Sequence, residues 1–295
     1  MDKLGRRGGA YVGTYEGDFL RANQSWFRGV TMLYGPDGAV YLSDWTDDGE
    51  CHDHDGVHRT SGRIFKVTYG ELKVWKGDLS TETDQGLLHY HRHSNAWFER
   101  QSRRLLHERA VAGTLDRGTI PTLEKWLMED SDAQVRLRAL WTLHVTGGLN
   151  QDEFMAATND EDEHVRAWAV RLSKPTAGRW VEMAADEPSS LVRLHLASAA
   201  QRIGVGSRRD LLVSLANRKE DHGDSVIQHM LWYALEPELA HSSRNINISA
   251  SPLLERLMAR RLMEPDLNRW KMVARMLDSA SVPRIASVLQ GVADS

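Results

Sequence analysis

The spacing of apolar and polar positions changes character near residue 79. Before it, apolar residues alternate or run in short β-favouring stretches. Val30-Thr31-Met32-Leu33-Tyr34 is one such run, and Gly35-Pro36-Asp37-Gly38 is a turn in which Pro36 presets φ and Gly38 is free to turn left-handed. Ala39-Val40-Tyr41-Leu42-Ser43-Asp44-Trp45 alternates again, a long polar loop follows, and Gly62-Arg63-Ile64-Phe65-Lys66-Val67-Thr68-Tyr69 makes a third strand. Strand, turn, strand, loop, strand is most of a four-stranded propeller blade. Residues 71–79 (ELKVWKGDL) read as a linker, and helical periods separated by short breaks fill 80–295.

The helical breaks recur. Asp132, Val135 and Arg136 in DAQVRLRA are matched by Asp162, Val165 and Arg166 in DEHVRAWA, then by Ser189, Val192 and Arg193 in SSLVRLHL. A more divergent copy starts at Asn95, with Phe98, Arg100 and Arg103. The unit is a capping residue, an apolar residue one turn in, and an Arg able to cross to an acceptor in the neighbouring turn. Spacings of about 27 to 36 residues suit stacked helical hairpins, none of which buries its apolar face alone. Further helices are expected over 224–235, 252–262, 267–277 and 283–290, with Pro175, Pro188, Pro237, Pro252, Pro265 and Pro283 at breaks. The expected fold class is mainly α: a HEAT-like α-solenoid of five or six hairpins over 80–295, preceded by a partial β-propeller blade over 1–70.

Charge narrows the partners. With 37 Lys and Arg against 41 Asp and Glu, the net charge of −4 supplies no basic field for nucleic acid. A protein partner on the solenoid surface is expected instead. The single cysteine, Cys51, excludes an intrachain disulfide and a CxxCH for covalent haem. The opening residues are basic but lack the apolar core of a signal peptide, and no apolar run reaches transmembrane length.

The segments GDFL, WFRGVTMLYGPDGAVYLSDW and GECHDHDGVHRTSGRIFKVTYG, with the later NAWFERQSRRLLHERA and LWYALEP, resemble the membrane-bound dehydrogenase family of planctomycetes and verrucomicrobia. The likeness spans about residues 10–290 and is densest over 26–70. It implies a propeller similar to the glucose/sorbosone dehydrogenases followed by HEAT repeats, and a periplasmic or membrane-associated setting. Against that plan this chain has one blade and no cytochrome c motif. It is therefore expected to be a C-terminal fragment, cytoplasmic or truncated as written, and inactive alone. Substrate and cofactor, pyrroloquinoline quinone included, are not legible.

Candidate chemistry concentrates in the polar loop. Asp47, Asp48, Glu50, Asp53 and Asp55 are oxygen ligands suited to Ca²⁺. Cys51, His52, His54 and His58 are a nitrogen and sulfur set suited to Zn²⁺ or another transition metal. A third reading pairs the acids with Arg28, Arg59 or Arg63 in a loop that only closes the blade. The spacing matches no standard metal site, and all three readings stand at this point. Asp37 is read as a turn residue rather than a calcium ligand. His89, His91 and His93 look like a metal box, but no nearby carboxylate orients them, so a solvated helix end is expected. Trp97, Trp126, Trp141, Trp168, Trp180, Trp232 and Trp270 are expected to pack between repeats. The Arg-rich stretch 100–109, with Glu99 and Glu108 interleaved, is expected to be a salt-bridged helix face. Two functions follow: a fragment of an exported sugar- or alcohol-oxidising enzyme whose helices link its parts, or a stand-alone HEAT-type scaffold with a β cap.

Overall fold

A computed structural model describes residues 2–46, 61–71, 74–174, 177–241, 251–264, 267, 270–278 and 282–294. The chain is mainly helical, with thirteen α-helices among the described residues and two small antiparallel sheets. The strands are β1 (Asp2–Arg7), β2 (Ala10–Tyr15), β3 (Gly29–Tyr34), β4 (Val40–Asp44) and β5 (Arg63–Val67). The helices are α1 (Asp84–His89), α2 (Ala96–Val111), α3 (Thr119–Glu129), α4 (Ala133–Thr146), α5 (Gln151–Thr158), α6 (Glu163–Leu172) and α7 (Ala177–Asp186). They continue as α8 (Ser190–Ala200), α9 (Arg209–Ala216), α10 (Ser225–His241), α11 (Pro252–Met263), α12 (Trp270–Asp278) and α13 (Val282–Ala293). No described helix is long and apolar enough to cross a membrane.

The chain divides into two compact units, residues 16–153 and residues 2–15 with 154–295. This division does not follow the expected boundary at 70–79. The hairpin β1–β2 groups with the later helices and not with the β3–β4–β5 sheet, so the sheet of the expected blade begins at Gly29.

In the first unit, β3, β4 and β5 pair antiparallel, with Met32 opposite Leu42 and Leu42 opposite Phe65. The GPDG turn forms as expected. Gly38 sits at φ +78°, and Asp37 accepts from the Ala39 N–H and the Tyr41 hydroxyl. Asn95 caps α2 through the Trp97 N–H while its amide donates to the Gly35 carbonyl at 2.9 Å, so one side chain starts a helix and seats the turn. The sheet remains open: Val30, Met32 and Leu33 on the edge strand are 60–67% exposed and Ile64 is 77% exposed. In α4 the Asp132 cap leads into buried Val135, Ala139 and Leu143, and Gly147 ends the helix at φ +76°.

The second unit repeats the α4 pattern. Asp162 caps α6 and Ser189 caps α8, while Val165 and Val192 are fully buried. Asp224 and Ser251 do the same for α10 and α11. Helices α6, α8, α10 and α11 pack in sequence, as do α7 and α9. Trp180, Leu196, Leu211, Leu231, Leu254 and Leu262 anchor a continuous core. Pro237 is not a break but lies inside α10. Its ring denies the Tyr233 carbonyl a helical donor, while buried Leu235 and Leu239 keep the helix pinned to the core. Pro252 opens α11 at the first position, where its missing N–H costs nothing. Trp180 is packed as expected, whereas Trp270 is 57% exposed.

Candidate functional site

The residues singled out as metal ligands, Asp47, Asp48, Glu50, Cys51, His52, Asp53, Asp55 and His58, lie outside the described residues, as does His54. They belong to the connection between β4 and β5, and the strand ends on either side of it are joined by a set of polar bonds. Asp44 and Arg63 sit opposite each other in the last register pair of the two strands. The Arg63 guanidinium grips the buried Asp44 carboxylate through Nε at 2.8 Å and Nη2 at 2.5 Å, and its Nη1 donates to the Gln24 amide oxygen. Asp44 also accepts from the N–H groups of Arg28 and Thr46 and from the Thr46 hydroxyl.

Burial alone would raise the Asp44 pKa. The Arg28 N–H, the Arg63 guanidinium and the two Thr46 donors outweigh it and hold the carboxyl at about 2. Five donors on two oxygens leave Asp44 no lone pair for a cation, so it ties Arg28, Thr46 and Arg63 together rather than offering a metal ligand. Thr46 completes this tie at φ +55°, in a left-handed conformation unusual for a β-branched residue. Sustained backbone strain of this kind needs several bonds to hold it, and Thr46 has two to Asp44. Arg63 therefore pairs with Asp44, within the sheet, and Arg28 turns its guanidinium to the Ser25 and Phe27 carbonyls.

The histidine trio departs from its expected role. Helix α1 stops at His89, and His91 is fully buried in the short turn that follows, not in a solvated helix end. Its Nδ1 faces the Leu87 carbonyl at 3.3 Å and its Nε2 the Thr142 hydroxyl at 2.9 Å, and that hydroxyl also lies 2.8 Å from the Arg138 carbonyl. Burial, reinforced by the charges of Arg103 and Arg138, pushes the imidazole down to about 4. His93 instead packs its ring 4.3 Å from Phe98. The ring of His89 lies 6.1 Å from that of Tyr90, so the three imidazoles do not share one set of partners. Among the described residues, no group of three or more His, Cys, Asp or Glu side chains is placed to hold a metal.

The Arg-rich face of α2 is salt-bridged: Arg103 pairs with Glu99, Arg104 with Glu108, and Arg109 with Asp84 of α1. Glu99 is buried, which raises its pKa against the opposing pull of Arg103 and Arg138.

The repeated arginines build an axial ladder that sequence reading anticipated only in outline. Arg166 donates to the Asp160 and Glu161 carbonyls and forms a two-pronged pair with Glu187 at 3.0 and 2.7 Å. Arg193 repeats the move on the Glu187 and Pro188 carbonyls and pairs with Asp221 at 2.5 and 2.6 Å. Gln228 takes the same place on α10, donating to the Asp221 carbonyl and accepting from the Ser251 hydroxyl. On α11 the place falls to Glu255, which receives Arg284. The rungs of Arg166, Arg193 and Gln228 each use the loop before one helix and a side chain further along the chain. Two further arginines cap helix ends: Arg202 donates to the Val170, Arg171 and Ser173 carbonyls at the end of α6, and Arg218 to those of Ala185 and Glu187 at the end of α7.

No protein-family model matches the chain, and no curated protein or solved structure matches it.

Proposed function

We propose that the chain is a protein-interaction scaffold of the propeller–HEAT kind, allied to the exported dehydrogenases it resembles, and that it does not turn over substrate unaided. One observation carries this reading. The cap, valine and arginine unit recurs at α4, α6 and α8, and in α6 and α8 the arginine makes the same two sets of bonds. Such rungs satisfy buried charge along a row of helices and leave outward faces free to vary, which is the division of labour of a stacked-repeat scaffold. On this reading the β3–β5 sheet is a blade that requires apolar neighbours.

The reading as a stand-alone scaffold with a β cap draws on a separate observation. Hairpin β1–β2 seats its turn on the helices of the second unit, with the Gly9 N–H donating to Asp224.

A dye-linked oxidation assay of the purified chain on sugars and alcohols, with Ca²⁺ and pyrroloquinoline quinone supplied, tests the proposal. No turnover is expected. Turnover that disappears when Asp53 or His58 is replaced by Ala would overturn it.

A further inference from the structure

The turn of hairpin β1–β2 is held by a small set of contacts that together form a receptor. The turn residues are Gly8, at φ +59°, and Gly9, and Gly9 is the one buried residue of residues 2–15. Arg6 fixes the turn through an Nε–H bond to the Gly8 carbonyl at 2.7 Å. Its two Nη groups reach Glu163 at 2.6 and 3.3 Å, at the first position of α6, and one of them reaches the Ser190 hydroxyl at 3.5 Å. The Gly9 N–H donates to Asp224 Oδ2 at 2.7 Å, while Asp224 Oδ1 accepts the Val226 and Ile227 N–H groups and caps α10. The Ser189 hydroxyl also donates to Glu163, so the carboxylate is oriented independently of Arg6. A fork-shaped cation, a close-approaching backbone and one donated N–H are thus read by the starts of α6, α8 and α10.

Shape makes the site selective. A Cβ on Gly9 would lie 2.8 Å from the Ser190 carbonyl oxygen and 3.0 Å from Leu194 Cβ, and one on Gly8 would lie 2.2 Å from Asp224 Oδ2. Only glycine fits at both places. The strands themselves contribute little, since apart from Gly9 and the half-buried Ala10 the hairpin is exposed throughout. The Arg6–Glu163 pair is itself about one-third exposed, the class of ion pair worth under about 1 kcal/mol. The hairpin also reaches the rest of its unit only through residues 16–153, which tethers it across a long stretch of chain. Recognition is therefore concentrated in a short, portable motif.

We propose that Glu163, Ser190, Leu194 and Asp224 form a binding site for an Arg-Xaa-Gly-Gly hairpin turn, that residues 6–9 fill it in cis, and that a partner peptide bearing the same turn takes their place. The inference rests on the hairpin contacts and stands apart from the dehydrogenase resemblance. The cis turn holds the site by proximity, so a competing turn binds when the cis contact is weakened or the competitor is abundant.

The probe is a fluorescent synthetic peptide of residues 2–15, titrated into the full chain. The Gly9→Ala chain, whose own turn no longer fits, binds it one to one, and the wild-type chain binds at least tenfold more weakly. Adding Asp224→Asn to that chain lowers affinity at least tenfold, Glu163→Gln in the chain or Arg6→Ala in the peptide lowers it about two- to fivefold, and a Gly9→Ala peptide does not bind. Absence of binding to a folded Gly9→Ala chain, equal binding to both chains, or equal binding of all peptides overturns the proposal. Should Gly9→Ala lose the helical circular dichroism, the wild-type chain decides. Excess peptide strips hydrogen-exchange protection from its own Gly9 amide, and unchanged protection overturns the proposal.

Discussion

The helices of residues 154–294 and the sheet of residues 29–67 dispose of their side chains in opposite ways. In the helical unit most large apolar groups are interior, Tyr233, Trp270 and Leu289 apart, and the buried charges meet partners across the rungs Arg166–Glu187 and Arg193–Asp221. In the sheet the buried charge, Asp44, is equally well partnered, but Val30, Met32, Leu33 and Ile64 lie open. The difference teaches that local polar order and self-sufficient burial are separate achievements. Hydrogen-bond geometry can be complete at the base of a loop while the surface around it still lacks cover.

The comparison breaks most sharply at Arg193. Replacing it with Ala leaves Asp221 charged and buried, and urea denaturation should show a loss of about 3–5 kcal/mol. The paired change Arg193→Met with Asp221→Leu should recover most of that loss, because it removes both charges and keeps the volume.

Next in size is a pH effect that the two regions share. His91, beside the sheet's own helices, and His195, in α8, are both held near 4. For His195, burial comes first, followed by the charges of Arg171 and His164. A folded value below the ordinary 6.5 means that the fold favours the neutral ring. That stabilisation is complete above pH 6.5 and drains away as pH falls through 4. The gap at His91 corresponds to about 3 kcal/mol at the acid end. Thermal melts of His91→Gln between pH 4 and 7 should therefore have a visibly flatter slope than the wild type, though His195 keeps it from vanishing.

Asn95 sharpens the contrast on a smaller scale. Asn95→Ala removes both the α2 cap and the amide bond to the Gly35 carbonyl, and should cost about 1–2 kcal/mol in chemical denaturation. Smallest of all is Met32→Ser on the open strand, expected to move unfolding by less than about 0.5 kcal/mol while reducing self-association at high concentration, as read by light scattering.

What the sequence disclosed follows the range of each interaction. The caps at Asp132, Asp162 and Ser189, and the buried valines three residues later, were legible because a cap and its helix are neighbours in the chain. The partners of the arginines were not: Glu187 and Asp221 stand 21 and 28 residues away, and nothing local marks them. His91 was misjudged for a related reason, since its burial depends on Thr142 and Arg138 of α4, far along the chain. The hairpin was the largest miss. Arg6-Arg7-Gly8-Gly9 is a plain turn signal, but its docking on Asp224 spans 215 residues. At the polar loop, the bonded strand ends at Asp44 and Arg63 were invisible behind the richer run of acids and imidazoles between them.

Hydrogen exchange of the native full chain, followed by mass spectrometry at neutral pH, tests the central contrast most directly. Amides of α6, α8 and α10 should open together as the most protected group, with those of β3 and β5 exchanging orders of magnitude faster. Protection of β3 as deep as that of α8 would contradict the account, because it would mean that the open sheet is as self-sufficient as the laddered helices.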